Sequence, residues 1–147
     1  MKRLTAGLLL LLSACQAMPQ DASGTLRRIE HTRKFTVGVV AGYERGPGID
    51  QLVQEIEHAS DAHAERSRGG ADALLSDLAD GKIDLVVGAF AKDSPWKTEV
   101  SFGPPLGSWD EGRQQIEMKA AMRNGENRWI VLVERASRSI AQRAKAQ

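Results

Sequence analysis

The chain has 147 residues, with 20 basic and 19 acidic side chains, a formal charge of +1 and 41% hydrophobic residues. That length suits one domain with a real core. Charges of both signs are interspersed, which excludes the concentrated basic field of a general nucleic-acid binder and reads as an ordinary solvated surface.

Lys2 and Arg3 make a positively charged start, and Leu4 to Leu12 follow as an apolar run broken only by Thr5, Ala6 and Gly7. The run falls well short of the about 20 apolar residues that span a bilayer, and suits the core of a secretory signal. It ends in Leu12, Ser13, Ala14 and Cys15. This ending resembles the bacterial lipobox, in which an apolar residue and two small ones precede the cysteine that receives diacylglycerol. The resemblance implies a signal peptide over residues 1–14, cleavage before Cys15, and acylation of its thiol and its new amine. The mature chain would then be tethered to membrane lipid in the cell envelope without spanning it. Cys15 is the only cysteine, so no internal disulfide accounts for it. Several acyl chains, at about 0.8 kcal/mol per buried methylene, make a durable anchor. Gln16 stands where, in bacteria with two membranes, an aspartate resembles an inner-membrane retention signal, so glutamine there leans toward the outer membrane. Removing residues 1–14 from the 147 leaves 133, and the loss of Lys2 and Arg3 takes the charge to −1. Residues 15–24, with Pro19 and Gly24, read as anchor and flexible tether, and residues 25–147 as a single domain.

Within the domain, Phe35, Val37 and Val39 alternate with Thr36 and Gly38, so Lys34 to Val40 is a strand. A glycine-rich loop with Pro47 runs from Gly42 to Gly48, after which Asp50 takes the position of a helix N-cap. Leu52, Val53, Ile56 and Ala59 share one helical face, predicting a helix over Gln51 to Ser60. Ala62 to Arg68 is polar and has room for a short edge strand. Ala71, Leu74, Leu75 and Leu78 stripe a second helix that begins at Asp72 and ends on Gly81. The near-continuous apolar run Ile83 to Phe90 predicts a strand buried on both faces. Lys92 to Glu111, with Pro95, Pro104 and Pro105, reads mostly as loop. Ile116, Met118, Ala120 and Met122 lie on one side of a strand over Gln115 to Met122, and Trp129, Leu132, Val133, Ala136 and Ile140 on one face of a long closing helix. Strand, helix, helix, buried strand is the rhythm of a parallel α/β layer. The expectation is an α/β fold: a single three-layer lobe with a mostly parallel sheet of three to five strands and about three helices.

Three passages carry a family resemblance. Phe35 to Val40 leads into Gly48, Ile49, Asp50 and Leu52; Leu74 to Phe90 reads LLSDLADGKIDLVVGAF; and Ser94, Pro95 and Trp96 precede Val100, Ser101, Phe102, Gly103, Pro104 and Pro105. Together these resemble one lobe of the bacterial extracellular solute-binding proteins of family 3, which deliver amino acids and similar polar solutes to ABC importers. In such folds, ligands bind outside the carboxyl ends of the strands where strand order reverses. The loops that meet there are Ala41 to Gly48 and Ala89 to Lys97. In them Tyr43 offers a ring and a hydroxyl, Asp93 and Ser94 polar partners and backbone amides, Trp96 a stacking surface, and Lys97 a cation for a carboxylate. The plainer alternative is that Tyr43 and Trp96 pack the loop mouths while Asp93, Ser94 and Pro95 form an ordinary turn.

Two departures mark this chain. Where the family carries an arginine that forks onto the solute's carboxylate, Trp96 or Lys97 stands, and a lysine is a point charge that cannot reproduce the bidentate pair. After Leu106 only a short loop precedes the returning strand, where a full binding protein inserts a second lobe, so half of any solute would remain in water. The resemblance implies a non-enzymatic, lipid-anchored substrate-binding component of an ABC importer, with a small polar or amino-acid-like ligand and a permease or other envelope protein as partner. The alternative is an envelope lipoprotein that uses the lobe as a protein-interaction scaffold and exposes an apolar patch where the second lobe would dock.

His31, His58 and His63 do not share metal-ligand spacing, and no nucleophile elbow or phosphate-binding glycine loop occurs. Neither a metal nor a cofactor is expected. Glu55 and Asp61 near His58 are chance neighbours on a helix surface. Arg135, Arg138, Arg143 and Lys145 form either a solvated helix end, with cations well placed at its C-terminus, or a surface for anionic head groups.

Overall fold

A computed structural model describes residues 21–146. The signal peptide, Cys15, Gln16 and the first part of the tether lie outside the described residues. In chain order the elements are α1 (Thr25–Thr32), β1 (Lys34–Val40), α2 (Ile49–Ser60), β2 (His63–Gly69), α3 (Ala71–Ala79), β3 (Leu85–Ala91), a 3-10 turn (Pro95–Thr98), β4 (Val100–Phe102), β5 (Gly107–Glu111), β6 (Gln114–Arg123) and α4 (Asn127–Lys145).

The fold is a single α/β lobe in three layers. Its sheet runs β2-β1-β3-β6-β4, with β5 also on β6. β1 pairs in parallel with β2 and β3, whereas β6 is antiparallel to β3, β4 and β5. The first half is therefore the expected parallel layer, and the second half is an antiparallel return. Three elements exceed the expectation. Both β4 and β5 fall within the segment read as mostly loop, and α1 within a stretch to which the sequence assigned nothing.

Alternation along the strands divides the core in two. Phe35, Val37, Val39, Leu85, Val87, Met118, Ala120 and Met122 face α1, α2 and α4. Val40, Val86, Phe90 and Ala121 face α3 and the segment leading to β4. Trp129 anchors the first layer: its ring meets Phe35 edge-on at 5.5 Å, and its buried Nε1 donates to the Asp84 carbonyl at 2.8 Å. On the second face α3 sits so close that a Cβ at Gly38 would lie 2.7 Å from Leu74. Among the described residues the buried hydrophobic side chains run from Leu26 to Ile140.

Two helix boundaries differ from the sequence reading. The N-cap of α2 is Gly48, in the left-handed region at φ 78°, and Asp50 instead sits in the first turn, where its charge suits the helix dipole. α3 starts at Ala71, one residue before Asp72, and closes on Gly81, which at φ 76° donates to Leu78 while Lys82 donates to Asp77. That pair of bonds is a Schellman motif with glycine where the backbone needs it. Ala59 is exposed instead of buried with its stripe.

Asp21 to Gly24, read from sequence as the end of the tether, belong to the domain. Ala22 donates to the Gly125 carbonyl at 3.2 Å, and the fully buried Glu126 accepts from the N–H of Ser23 at 2.6 Å and of Thr25 at 2.9 Å. A distant carboxylate thus occupies amides at the start of α1 that would otherwise lack partners.

Candidate functional site

Strand order turns back at β1, whose two neighbours β2 and β3 leave its carboxyl end in opposite directions. The loop after β1 and the loop after β3 therefore flank one mouth, the place where such sheets hold ligands. β6 enters the sheet at this same end, because Ile116 pairs with Ala91 at the end of β3.

After β4 the chain makes a hairpin, β5 and β6 joined through the two residues Gly112 and Arg113. On β5, Trp109 is paired with Ile116 and leans on Tyr43, ring centres 6.4 Å apart. Tyr43 is half-buried and packs against both cores, and its backbone closes the loop through bonds to Val40 and Gly46. It is thus a wall of the mouth, braced from across by the hairpin.

The residues after β3 are less free than their types suggested. Ser94 is buried, and its hydroxyl accepts from the Trp96 N–H at 3.3 Å to cap the 3-10 turn. Trp96 is half-buried on the second core and donates its Nε1 to Asp72, in the first turn of α3, at 2.9 Å. Here Ser94 caps and Trp96 packs. Asp93 and Lys97 are exposed and only 3.9 Å apart, a loose ion pair. Asp93 and Lys97 on one side of the mouth and Tyr43 with Trp109 on the other are the groups that remain available to a solute.

Sequence reading missed an ion pair. Lys119 and Glu117 lie on the β6 face away from Met118. The Lys119 side chain is 4% exposed, its Nζ sits 2.7 Å from Glu117 Oε2, and it stands 4.6 Å above the Phe102 ring. Phe102 in turn packs on Phe90 at 5.2 Å. Nothing in the alternation separates a polar face buried beneath a crossing segment from a solvated one. Among the described residues no cluster of three or more histidine, cysteine or acidic side chains is placed to hold a metal, and no helix is long and apolar enough to cross a membrane.

No family model matches the chain, and no curated protein matches it in sequence. Solved structures do resemble it. A point mutant of domain 1 of an arginine-binding protein from T. maritima, in its arginine-bound form, is 19% identical with a TM-score of 0.66, over 80% of this chain and 98% of that one. The arginine-bound amino acid ABC transporter substrate-binding protein AbpA of Streptococcus pneumoniae is 11% identical with a TM-score of 0.67, over 81% of this chain and 93% of that one. An ancestral cationic amino acid solute-binding protein is 13% identical with a TM-score of 0.66, over 82% and 95%. An ancestral cyclohexadienyl dehydratase is also similar, at 10% identity and a TM-score of 0.66, over 82% and 92%. These likenesses show the class of fold, a single α/β lobe shared with those proteins, across most of the chain.

Proposed function

We propose that this chain is a non-enzymatic, lipid-anchored lobe of the cell envelope that holds a small polar or amino-acid-like solute for an ABC importer. The observation that carries the reading is the mouth itself, a switch point in the β2-β1-β3 order with Tyr43 on one loop and Asp93 and Lys97 on the other. The likeness to a lone domain in an arginine-bound form supports it, because it weakens the objection that a single lobe leaves a solute too exposed. Acylation of Cys15 is the anchor, and Gln16 favours the outer membrane where two are present.

A thermal-shift screen of the chain from Gln16 onward against arginine and other amino acids tests the solute. Stabilisation that grows with concentration and is lost in Tyr43→Ala is expected; no response to any amino acid would remove the solute-binding part. Mass spectrometry of the native protein tests the anchor, which an intact Met1 with an unmodified Cys15 would remove.

One observation favours the second reading, an envelope scaffold that binds another protein through the same mouth. Trp109, 36% exposed, stands on the hairpin where a second lobe would otherwise join. Co-purification of an envelope protein that is lost in Trp109→Ser, without any solute response, would favour this scaffold over transport.

A further inference from the structure

At the end of the lobe opposite the mouth, a partly open polar hollow of about 200 Å³ is lined by Ser23, Thr25, Arg28, Asp84 and Arg123, with Gly81 beside them. Arg28 is bound to Asp84, whose second oxygen takes both the N–H and the hydroxyl of Thr36 at 2.9 and 3.1 Å. That carboxylate is fully engaged. Arg123 differs: half-buried, it donates to Ser23 Oγ at 3.1 Å, and no carboxylate among the described residues forms an ion pair with it. Its guanidinium lies across Gly81, where a Cβ would come within 2.7 Å of Nη1. Of the other acids nearby, Glu126 is held by the Ser23 and Thr25 amides, Asp21 accepts from the Leu26 N–H and faces Glu126, and Asp77 and Asp80 are paired with Lys82. The Thr25 side chain bonds Glu126, so the wall presents two guanidinium groups and the Ser23 hydroxyl beside one paired carboxylate, a donor set suited to an oxyanion.

We propose that this hollow takes the phosphate of an anionic phospholipid head group and seats the lobe on the bilayer by this end. The position of the chain points to a lipid as the source. Asp21 leaves the domain beside Gly125 at this same end and stands six positions after Cys15, a span of at most about 20 Å when extended. By contrast, Arg138 and Arg143 on α4 are paired with Glu134 and Glu55, and compete poorly for head groups. The proposal rests on the anchoring reading only for its placement of the membrane.

The test is co-sedimentation of the unlipidated chain from Gln16 onward with vesicles of phosphatidylcholine alone or rich in phosphatidylglycerol. Binding is expected only to the anionic vesicles, weakening as salt rises, and about fivefold weaker in Arg123→Gln. Arg45→Gln, an exposed position in the loop after β1 at the other end, is expected to bind as the parent does. Circular dichroism confirms that both variants fold. Inorganic phosphate is added separately in a thermal-shift arm. Stabilisation by phosphate that Arg123→Gln abolishes, without vesicle binding, would overturn the lipid source in favour of free phosphate. No response in either arm would overturn the site and leave Arg123 as a cation closing the end of α3. An unlipidated native Cys15 with intact vesicle binding would sink the anchor and spare the head-group site, so the two failures are distinguishable.

Discussion

Asp21→Asn should abolish most of the pH dependence that the N-terminal clasp imposes on stability. Burial pushes the Asp21 carboxyl up from 3.8 to about 6, and the hydrogen bond and charge of Glu126 add to the effect. Burial works against the charge of Glu126 too, yet the hydrogen bond from Asp21 and the amides of Thr25 and Ser23 outweigh it and bring Glu126 from 4.5 down to about 2. Asp21 Oδ1 is buried with no donor pointing at it, and a proton held there and given to Glu126 satisfies both carboxyls. The signs oppose each other. Asp21 binds its proton more tightly folded than unfolded, so its contribution is complete below pH 3.8 and is lost as pH rises to about 6. Glu126 binds its proton less tightly folded, so its contribution is present above pH 4.5 and is lost as pH falls toward about 2. Stability from the pair therefore peaks near pH 4 and declines toward neutrality. The Asp21 shift corresponds to at most ~3 kcal/mol at 1.36 kcal/mol per pKa unit, and sharing one proton between two carboxyls leaves on the order of 1–2 kcal/mol. Asparagine keeps a donor for Glu126 and cannot ionise. Melting curves at pH 4.5, 5.5, 6.5 and 7.5 should show the parent losing roughly 4 °C per kcal/mol relative to Asp21→Asn as pH rises. Parallel curves for the two proteins would refute the shared proton.

Gly88→Ala should destabilise by about 1–3 kcal/mol, because the new Cβ would lie 2.4 Å from Val40 Cγ2 and 2.6 Å from its Cβ, a stiff β-branched neighbour with nowhere to go. Gly70→Ala, where a Cβ meets nothing within 4 Å at φ −68°, is the matched control and should stay within about 0.5 kcal/mol in urea denaturation. Lys119→Met should cost about 3 kcal/mol or more by leaving Glu117, itself only 14% exposed, without its counter-charge. Adding Glu117→Leu should recover most of that loss, and failure to recover it would mean that packing over Phe102, not charge, sets the cost.

What the sequence made legible follows from how much apolar surface each element shows. β1 is read to the residue, and β3 and β6 to within about two residues, because their inward side chains alternate or run unbroken. α4 is read because Trp129, Val133, Ala136 and Ile140 repeat over several turns. α1 is not, since Leu26 and Ile29 are its only buried apolar side chains and its start is secured by Glu126 from across the chain. β4 and β5 are short and crowded by Pro104, Pro105 and glycines, so their pairing with β6 is a tertiary fact with no local signature. At the mouth, sequence spacing does not reveal the neighbours that take the polar atoms of Ser94 and Trp96, namely the Trp96 amide and Asp72. Trp109 escaped notice because its importance comes from the hairpin that brings it to Tyr43.

The direction of β6 has a consequence for how any importer would use this lobe. Because β6 runs antiparallel to β3, its last residues and Gly125 lie beside the amino ends of β1 and β3, while the mouth lies at their carboxyl ends. Asp21 to Gly24 join the lobe beside Gly125, so the start of the described residues and the mouth are at opposite ends of the lobe. A lobe seated by its tethered end would hold its mouth away from the bilayer, which suits capture from solution and opposes delivery to a permease buried in that bilayer. Delivery then requires the seat to be reversible. A site holding one phosphate through two arginines, weakened by salt, meets that requirement where a broad basic face would not. Arg123→Gln should therefore weaken the seat on anionic vesicles while sparing solute affinity at the mouth, since Arg123 lies at the opposite end of the lobe.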